Sequence, residues 1–556
     1  MNKLKLDNLP LKPIIILLGA VMFLPNLGDV HLFDWDEINF AESAREMLVS
    51  HNFLQVQIDY IPFNEKPPFF IWMQAISMHF FGVNEFAARL PNAIIGIATM
   101  LTLLAIGKRL KSKTFGLLWI VVYISSFLPN FYFKTAIIDP TFNLFIFAGI
   151  YFASKLTENT EFAPYKLVKK SRRKAVSYAG FFIGLAILTK GPVGLLLFVL
   201  SYLVFFILNR FKRINSFFEM VWFGIVCLFT VSIWYGLEWY VHGDAFIKGF
   251  FQRHIDLLST QDAGHGGPFF YHFIILLFGC FPASVFIFGG IKKHSFSSVL
   301  LQNFQKWMLS LLIVVLVVFS IVQTKIIHYS SLSYFPITFF ATYFLYYLLE
   351  GNRKWKWYHA LLYLIIGILW GSAVALAPIV GQNIDIIKDF VKTSDPFAYA
   401  NLDAIVYWSK YEAIYGLSFI ALMVVSAVFF ATKNVKFGIS TLLISSAIFI
   451  QVLMVLFTPR IEKYTQNAAI EFYESKAEEK CYIETLGYKS YANLFYGKKS
   501  IELPHKEREQ LMDEYFKVPV YFVCKINRKE HYLSEYPQLE VLYEKNGFVF
   551  MQKIEY

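Results

Sequence analysis

Charge is scarce in this chain of 556 residues: only 16% of them are Asp, Glu, Lys or Arg, where a soluble domain carries roughly 25%. With 56% hydrophobic residues, disorder is excluded, because disordered chains are poor in apolar residues. A string of about three or four soluble domains, which length alone would suggest, fits no better. Cysteine is also scarce. Cys227, Cys280, Cys481 and Cys524 are too few for a disulfide scaffold, and no pair has zinc-finger spacing. No internal repeat is visible, and the two inverted halves that would favour a transporter are not found. A cleavable leader is not expected either. The first apolar run is longer than a signal-peptide core, and no small-residue cleavage site follows it.

What the chain does have is apolar runs and phenylalanine. Sixty Phe residues and a mean hydropathy of +0.49 point to a chain dissolved mostly in lipid. Runs of about 20 residues, the length that crosses a ~30 Å hydrocarbon layer, fall near 13–33, 88–107, 114–131, 136–154, 177–189, 191–209, 217–239, 271–291, 307–323, 331–349, 359–380, 412–431 and 437–457. The net charge of +11 then needs placing before it is assigned to a partner. With the N-terminus inside, Lys108–Lys113, Lys166–Lys174, Arg210–Arg213, Lys292–Lys293, Arg353–Lys356 and Lys433–Lys436 all fall on one side, as the positive-inside rule requires. Thirteen spans put the C-terminus outside. The excess charge is topology, and no nucleic-acid partner is expected.

The outer side has the opposite balance. Between Asp34 and Glu85 stand eight acids with only Arg45 and Lys66 against them. Such a loop is too long for a connector. Its apolar residues Phe40, Ala44, Met47 and Leu48 recur at helical spacing, which suggests interfacial helices. Further outer loops run at about 240–270 and 381–411. Beyond Pro459 the composition changes, with 15 basic and 16 acidic residues in 460–556. Arg460–Lys480 and Glu507–Phe516 read as helices. Cys481–Leu486, Val518–Cys524, Leu539–Glu544 and Phe548–Lys553 read as strands, with Asn546-Gly547 as the hairpin turn. The expected fold is a polytopic α-helical membrane protein, residues 1–458, with a small α/β domain at 459–556 on the outer face. Cys481 and Cys524 lie in that domain, either bridged in an oxidising compartment or as two buried thiols.

Six constellations could carry chemistry, and all fall on the outer side. Asp34-Trp35-Asp36-Glu37 stands where the first span leaves the membrane, as a solvated acidic loop or as carboxylates able to accept a proton. Asn64-Glu65-Lys66-Pro67-Pro68 holds an anion and a cation in a turn fixed by two prolines. A lysine there suits a phosphate, unless it only snorkels. In Lys134 to Asp139-Pro140, the acid is a functional candidate inside an apolar run, a helix cap, or both. Thr189-Lys190-Gly191-Pro192 is a tight turn or a phosphate contact. Arg253-His254 with His265 offers metal or phosphate ligands, although an isolated histidine is more often neither. Lys325, His328 and Tyr329 form the last group. Carboxylates and cations converging beside lipid suit transfer from a lipid-linked phosphate, with the acids handling the acceptor and the cations neutralising the leaving group.

These residues, with Ala41-Glu42, Arg45-Glu46-Met47, Arg89-Leu90-Pro91, Gly266 to Tyr271 and Pro336, resemble the GT-C glycosyltransferases. The branch is that of the bacterial 4-amino-4-deoxy-L-arabinose lipid A transferases and the protein O-mannosyltransferase-like enzymes. The resemblance covers roughly residues 10–345. It implies a GT-C fold of about thirteen transmembrane helices in the bacterial inner membrane. It also implies a polyprenyl-phosphate-linked sugar donor, a lipid or glycan acceptor and inverting transfer on the periplasmic face by a monomer. Asp36 is the implied catalytic carboxylate, with Glu37 and Asp139 as further catalytic candidates. Lys66 would meet the donor phosphate. Tyr60, Glu65, Lys190, Arg253, His254, His265, Lys325, His328 and Tyr329 complete the expected substrate site. Glu65 and His254 are the implied ligands of a divalent metal (zinc, magnesium or manganese), and no other cofactor is expected. The family pattern has an arginine a few residues after this histidine. Here Ile255, Asp256, Leu257 and Leu258 stand there, and Arg253 is the substitute.

A hydroxyl acceptor would make Asp36 a general base. A phosphate acceptor is already anionic and needs none, so Asp36 would then orient a substrate or balance positive charge at the anomeric carbon. Transfer to protein Ser/Thr is the alternative. A lipid or sugar flippase would place its charges deep within the spans, and a purely structural envelope protein leaves the rim charges unexplained.

Overall fold

A computed structural model describes residues 10–159, 169–259, 266–292, 298–391 and 395–554. It is a helical bundle capped by one small sheet. Among the described residues, seven helices are long and apolar enough to cross a membrane, or nine when each of two bent pairs is taken as one span. Shorter apolar helices, Leu11–Phe23, Phe69–Phe81 and Val193–Leu208, accompany them. Helices start where small polar residues precede apolar runs. The Asn84 side chain accepts from Ala87 N–H, and Ser112 and Ser298 accept from Phe115 and Leu301. Ser216 and Glu219 form a reciprocal capping box ahead of Phe217–His242.

Two expected spans are not straight. The run 114–131 is Lys113–Ile124 followed by Phe127–Lys134, bent by 89°. Ser125 and Ser126 at the break donate their hydroxyls to the carbonyls of Val121 and Val122, back-bonding that bends helices. The run 271–291 is Tyr271–Gly279 and Ala283–Ile291, bent by 107°. Pro282 stands at that break and cannot donate a helical hydrogen bond. Hydropathy registers apolar length and is blind to direction, so neither bend was expected.

The outer loop folds as the helix Asp36–Ser50, a short hairpin of β1 (Gln57–Ile58) and β2 (Ile61–Pro62), and Phe69–Phe81. Glu46 ties hairpin to helix by accepting the backbone N–H of Asp59 at 2.6 Å and of Tyr60 at 2.8 Å. The C-terminal residues form a four-stranded sheet of β3 (Tyr482–Leu486), β4 (Val520–Lys525), β5 (Leu539–Lys545) and β6 (Phe548–Lys553) in the order β3-β4-β6-β5. β3 and β4 run parallel, and β5 and β6 form the hairpin around Asn546-Gly547. The helix expected over Arg460–Lys480 is two shorter ones, Thr458–Lys463 and Asn467–Ser475, and the next is Arg508–Asp513.

Alternation along these strands decides how the sheet is used. Ile483, Tyr521, Val523 and Phe550 join Phe40, Met47 and Phe70 of the outer loop in one core, while Tyr482, Phe522, Cys524 and Met551 enclose a second core on the other face. The sheet is therefore packed directly on the loop that carries the first acidic motif. This arrangement also settles the cysteines. Cys481 lies in the first core and Cys524 in the second, and Cys524 pairs with Leu486, five residues beyond Cys481. At ~3.3 Å per residue, that offset of about 16 Å exceeds the Cα separation a disulfide spans. Both thiols are free, and the bridge considered from the sequence is not formed.

Candidate functional site

Four chain segments bring the acids and cations of the outer rim together. The helix Asp36–Ser50 starts with Asp36 and Glu37 in its first turn, where the positive end of the helix dipole favours carboxylates. The helix Asp139–Ser154 starts with Asp139 and Pro140. The helix Lys169–Lys190 delivers Lys190 at its last position. Gly191 then turns the chain with φ +87°, and any Cβ there would lie 2.2 Å from the ring of Phe250. The 3-10 turn Ile327–Ser333 supplies His328 and Tyr329. It is fixed to the Asp139 helix by Asn143, whose amide donates to Ser331 Oγ at 2.8 Å.

These side chains form one network. His328 Nε2 lies 3.2 Å from Asp36 Oδ2 and 4.0 Å from Asp139 Oδ2. Lys190 Nζ donates to Asp139 Oδ1 at 2.8 Å and stands 5.5 Å from the centre of the Tyr329 ring. The Asp139 carboxylate thus faces lysine and histidine, and the N-cap position of its helix is Ile138. Beside this network Arg253 Nε meets Glu65 Oε1 at 3.0 Å. Lys66 lies in the fields of Glu65, Asp36, Lys190 and Arg253, and among the described residues it has neither a hydrogen bond nor an ion pair. Burial pulls its pKa below the ordinary lysine value, against the opposing pull of Glu65 and Asp36. Lys66 is half-buried, so an anion that joins it would meet an ammonium that is partly withdrawn from water and not already neutralised by a contact ion pair among the described residues.

Glu37 plays a different part from the catalytic one expected of it. Its carboxylate is buried and saturated. It accepts Arg89 Nε at 3.1 Å and Nη2 at 2.8 Å, Phe33 N–H at 2.8 Å and Ala136 N–H at 2.6 Å. Arg89 spends its remaining donors on the carbonyls of Leu27, Val30 and His31. The pair binds the end of the first helix, the start of the Asp36 helix and the strand-like residues before Asp139 into one unit, and so positions Asp36.

Other residues expected at the site lie away from this network or outside the described residues. Lys325 turns inward and donates to the carbonyls of Phe319, Ser320 and Val322, satisfying the otherwise orphaned end of the helix Val299–Ile321. Tyr60 leaves the network altogether. Its hydroxyl donates to the carbonyl of Lys499 and accepts from Arg45, joining the outer loop to the C-terminal sheet domain. His265 and the side chain of His254 lie outside the described residues. Glu65, the other residue implied as a metal ligand, faces the Arg253 guanidinium.

The C-terminal domain adds a wall that the sequence did not disclose. Tyr491 packs on Trp35 with ring centres 5.0 Å apart and on Phe63 at 6.4 Å, and Lys489 Nζ lies 4.8 Å from the Trp35 ring. Burial, reinforced by the field of Glu65, pushes the Tyr491 phenol up to about 12. Trp35 immediately precedes Asp36. No local pattern links it to a residue more than 450 positions later, so the wall exists only in the fold.

With this geometry in hand, the chain was compared with known proteins. Residues 65–235 match the family model described as dolichyl-phosphate-mannose-protein mannosyltransferase. An undecaprenyl phosphate-alpha-4-amino-4-deoxy-L-arabinose arabinosyl transferase of Shewanella sediminis is 27% identical over 337 residues, 59% of this chain and 58% of that protein. A homologous transferase of Proteus mirabilis is 29% identical over 274 residues, covering 47% of this chain and 46% of its own. These alignments therefore span about half to three fifths of the relatives' length. The crystal structure of ArnT from Cupriavidus metallidurans bound to undecaprenyl phosphate superimposes with a TM-score of 0.75 over 98% of both chains at 17% identity. The likeness to these transferases agrees with the resemblance read from the motifs, and the chain shares the fold of that ArnT, a helical bundle in which at least seven of the described helices are long and apolar enough to cross a membrane.

Proposed function

We propose that this chain is an inverting glycosyltransferase that moves one sugar from a polyprenyl-phosphate donor to a lipid A-like or other envelope acceptor. The site faces the periplasm, with the N-terminus in the cytoplasm and the C-terminus outside the inner membrane. One chain supplies the whole cluster, and we take the monomer as the working unit. The observation that carries this reading is Lys66: a cation with no ion pair among the described residues, in the fields of Glu65 and Asp36 and followed by two prolines. Its ammonium suits the donor phosphate, and Lys190 and Arg253 stand close enough to share the charge that grows there as the bond from anomeric carbon to phosphate oxygen breaks. Asp36 Oδ2, held by His328, belongs to the more exposed of the two carboxylates facing that histidine, 27% against 4% for Asp139. A hydroxyl acceptor would hand it a proton as the new glycosidic bond forms, a role worth about 10²–10⁴ in rate. A phosphate acceptor would need no base, and Asp36 would then balance positive charge at the anomeric carbon. His328 orients Asp36 in either case, and no step is routed through a metal.

The names of the matched arabinosyl transferases support the donor class, and the fold supports the membrane setting. Asp36→Asn is expected to abolish transfer in membranes while the protein still inserts and folds, and full activity in that variant would remove Asp36 from the mechanism. Transfer to protein Ser/Thr is the second reading, favoured by the family description over 65–235. Mass spectrometry of envelope lipids and glycoproteins from a deletion strain separates the two, since only one class of product loses its sugar.

A further inference from the structure

A second cation without an ion pair among the described residues lines a pocket with Glu37. Lys134 is 6% exposed. Among the described residues its only polar contact is the side-chain oxygen of Gln451 at 3.4 Å, and Asp29 acts on it only through its field. It lines a small open pocket together with Asn26, Phe33, Thr135, Met454, Thr458 and the Glu37–Arg89 pair. The other donors there are spent. Arg89 is saturated, the Asn26 amide donates to Asp29, and the hydroxyls of Thr135 and Thr458 donate to backbone carbonyls. Met454 belongs to a π-helical stretch, Leu453–Phe457, a distortion that recurs at functional sites. Nothing in the rim network requires a lysine at this position, and a buried ammonium without a counter-ion is costly.

We infer that the Lys134 pocket binds a phosphate carried by the acceptor, so that donor and acceptor anions sit on opposite sides of the helix start that presents Asp36. This rests on the glycosyl-transfer reading and narrows it to phosphate-bearing acceptors. Glu37 lines the pocket, and Asp36 is its neighbour in the same helical turn. A phosphate on Lys134 would therefore anchor the acceptor within reach of the reacting centre. Lys66, on the Glu65 side of the cluster, is left for the donor.

The test is a binding comparison with the full chain in phosphatidylcholine nanodiscs. The probes are lipid A with its phosphates, the same lipid stripped of them, phosphatidylglycerol, inorganic phosphate and undecaprenyl phosphate. A charge-assisted contact predicts that the wild type prefers phosphorylated lipid A by about 10–100-fold, with inorganic phosphate as a weak competitor. Lys134→Met is expected to lose the preference and Lys134→Arg to keep it. Undecaprenyl phosphate should bind Lys134→Met as it binds the wild type, and bind Lys66→Met more weakly. Lys134→Gln, which keeps a polar side chain but removes the charge, replaces the Met variant if that one does not fold. No preference in the wild type overturns the inference, as does a preference that survives in Lys134→Met, or phosphatidylglycerol competing as well as phosphorylated lipid A. If no sugar moves from any polyprenyl phosphate, the functional reading falls while the binding result still stands. If sugar moves and the preference ignores Lys134, only the pocket assignment falls.

Discussion

Glu37 separates a positioning role from a chemical one, and the size of the effect can be worked out. Glu37→Gln is nearly isosteric but removes the charge from a buried pair. Breaking such a pair by altering one partner costs about 3–5 kcal/mol, because Arg89 is left uncompensated. The new amide also points two N–H groups into a shell made entirely of donors, namely Arg89, Phe33 N–H and Ala136 N–H. An unsatisfied buried donor costs about 1–3 kcal/mol, and since the surviving carbonyl keeps part of the shell, the total stays near 3–5 kcal/mol. One kcal/mol moves Tm by about 2–4 °C in a chain of about 150–250 residues. In a membrane domain about twice that size, the expected fall is about 3–10 °C. The assay is thermal unfolding of the purified protein in detergent, followed by transfer measured per folded molecule at low temperature. The fold should weaken, and whatever activity is lost should track the loss of native protein and of Asp36 placement. A variant with wild-type Tm and no turnover would refute the reasoning and return Glu37 to the chemistry.

Two further predictions concern the C-terminal domain. Tyr491→Ala removes a ring that packs on Trp35 and Phe63; with aromatic contacts worth about 0.5–1.5 kcal/mol, KM for the donor should rise roughly 2–12-fold with kcat little changed, and an unchanged KM would show that the wall touches no substrate. His505 pairs through Nδ1 with Asp59 of the outer loop at 2.6 Å, and Asp59 also pairs with Lys499. Burial disfavours the imidazolium, yet Asp59 and Glu507 outweigh it and raise the His505 pKa above 6.5. A raised folded-state pKa stabilises the protein fully below ~6.5 and loses that stabilisation as pH climbs through the raised value. Protease resistance of the domain should therefore fall with rising pH across that window, and His505→Gln should flatten the profile.

Much of this was legible from the sequence because the signals were physical and local. Apolar length, basic loops and the Asn546-Gly547 turn each report a constraint that no tertiary contact overrides. Asp36, Asp139, Lys190 and His328 could be singled out because charges beside lipid are expensive. Their partners could not. Whether an acid is an anchor or a reactive group depends on what faces it, and Glu37 and Asp36, adjacent in the chain, face opposite surroundings. The same holds for Lys325 and Lys66: both are outer-rim lysines, but one spends its donors on a helix end and the other has no hydrogen bond or ion pair among the described residues. The bends at Ser125 and Pro282, and the Tyr491 wall, arise from direction and distance, which a linear pattern does not encode.

The charge count of the cluster sharpens what its cations do. Asp36, Asp139 and Glu65 stand against Lys66, Lys190 and Arg253, three formal charges on each side with His328 set apart. A neutral cluster does not attract a phosphate by its net field, so steering by a positive surface is not the working principle here. Two of the cations are already paired, Lys190 with Asp139 and Arg253 with Glu65. An incoming anion therefore meets one unsatisfied ammonium, Lys66, and draws on the other two only by loosening existing pairs. That is a graded response. Binding the singly charged donor uses Lys66 alone, while the extra negative charge of the departing polyprenyl phosphate can pull Lys190 and Arg253 from their carboxylates. Stabilisation that grows with the leaving group's charge favours the transition state over the ground state, which is the condition for these cations to raise the rate of transfer as well as the affinity for the donor.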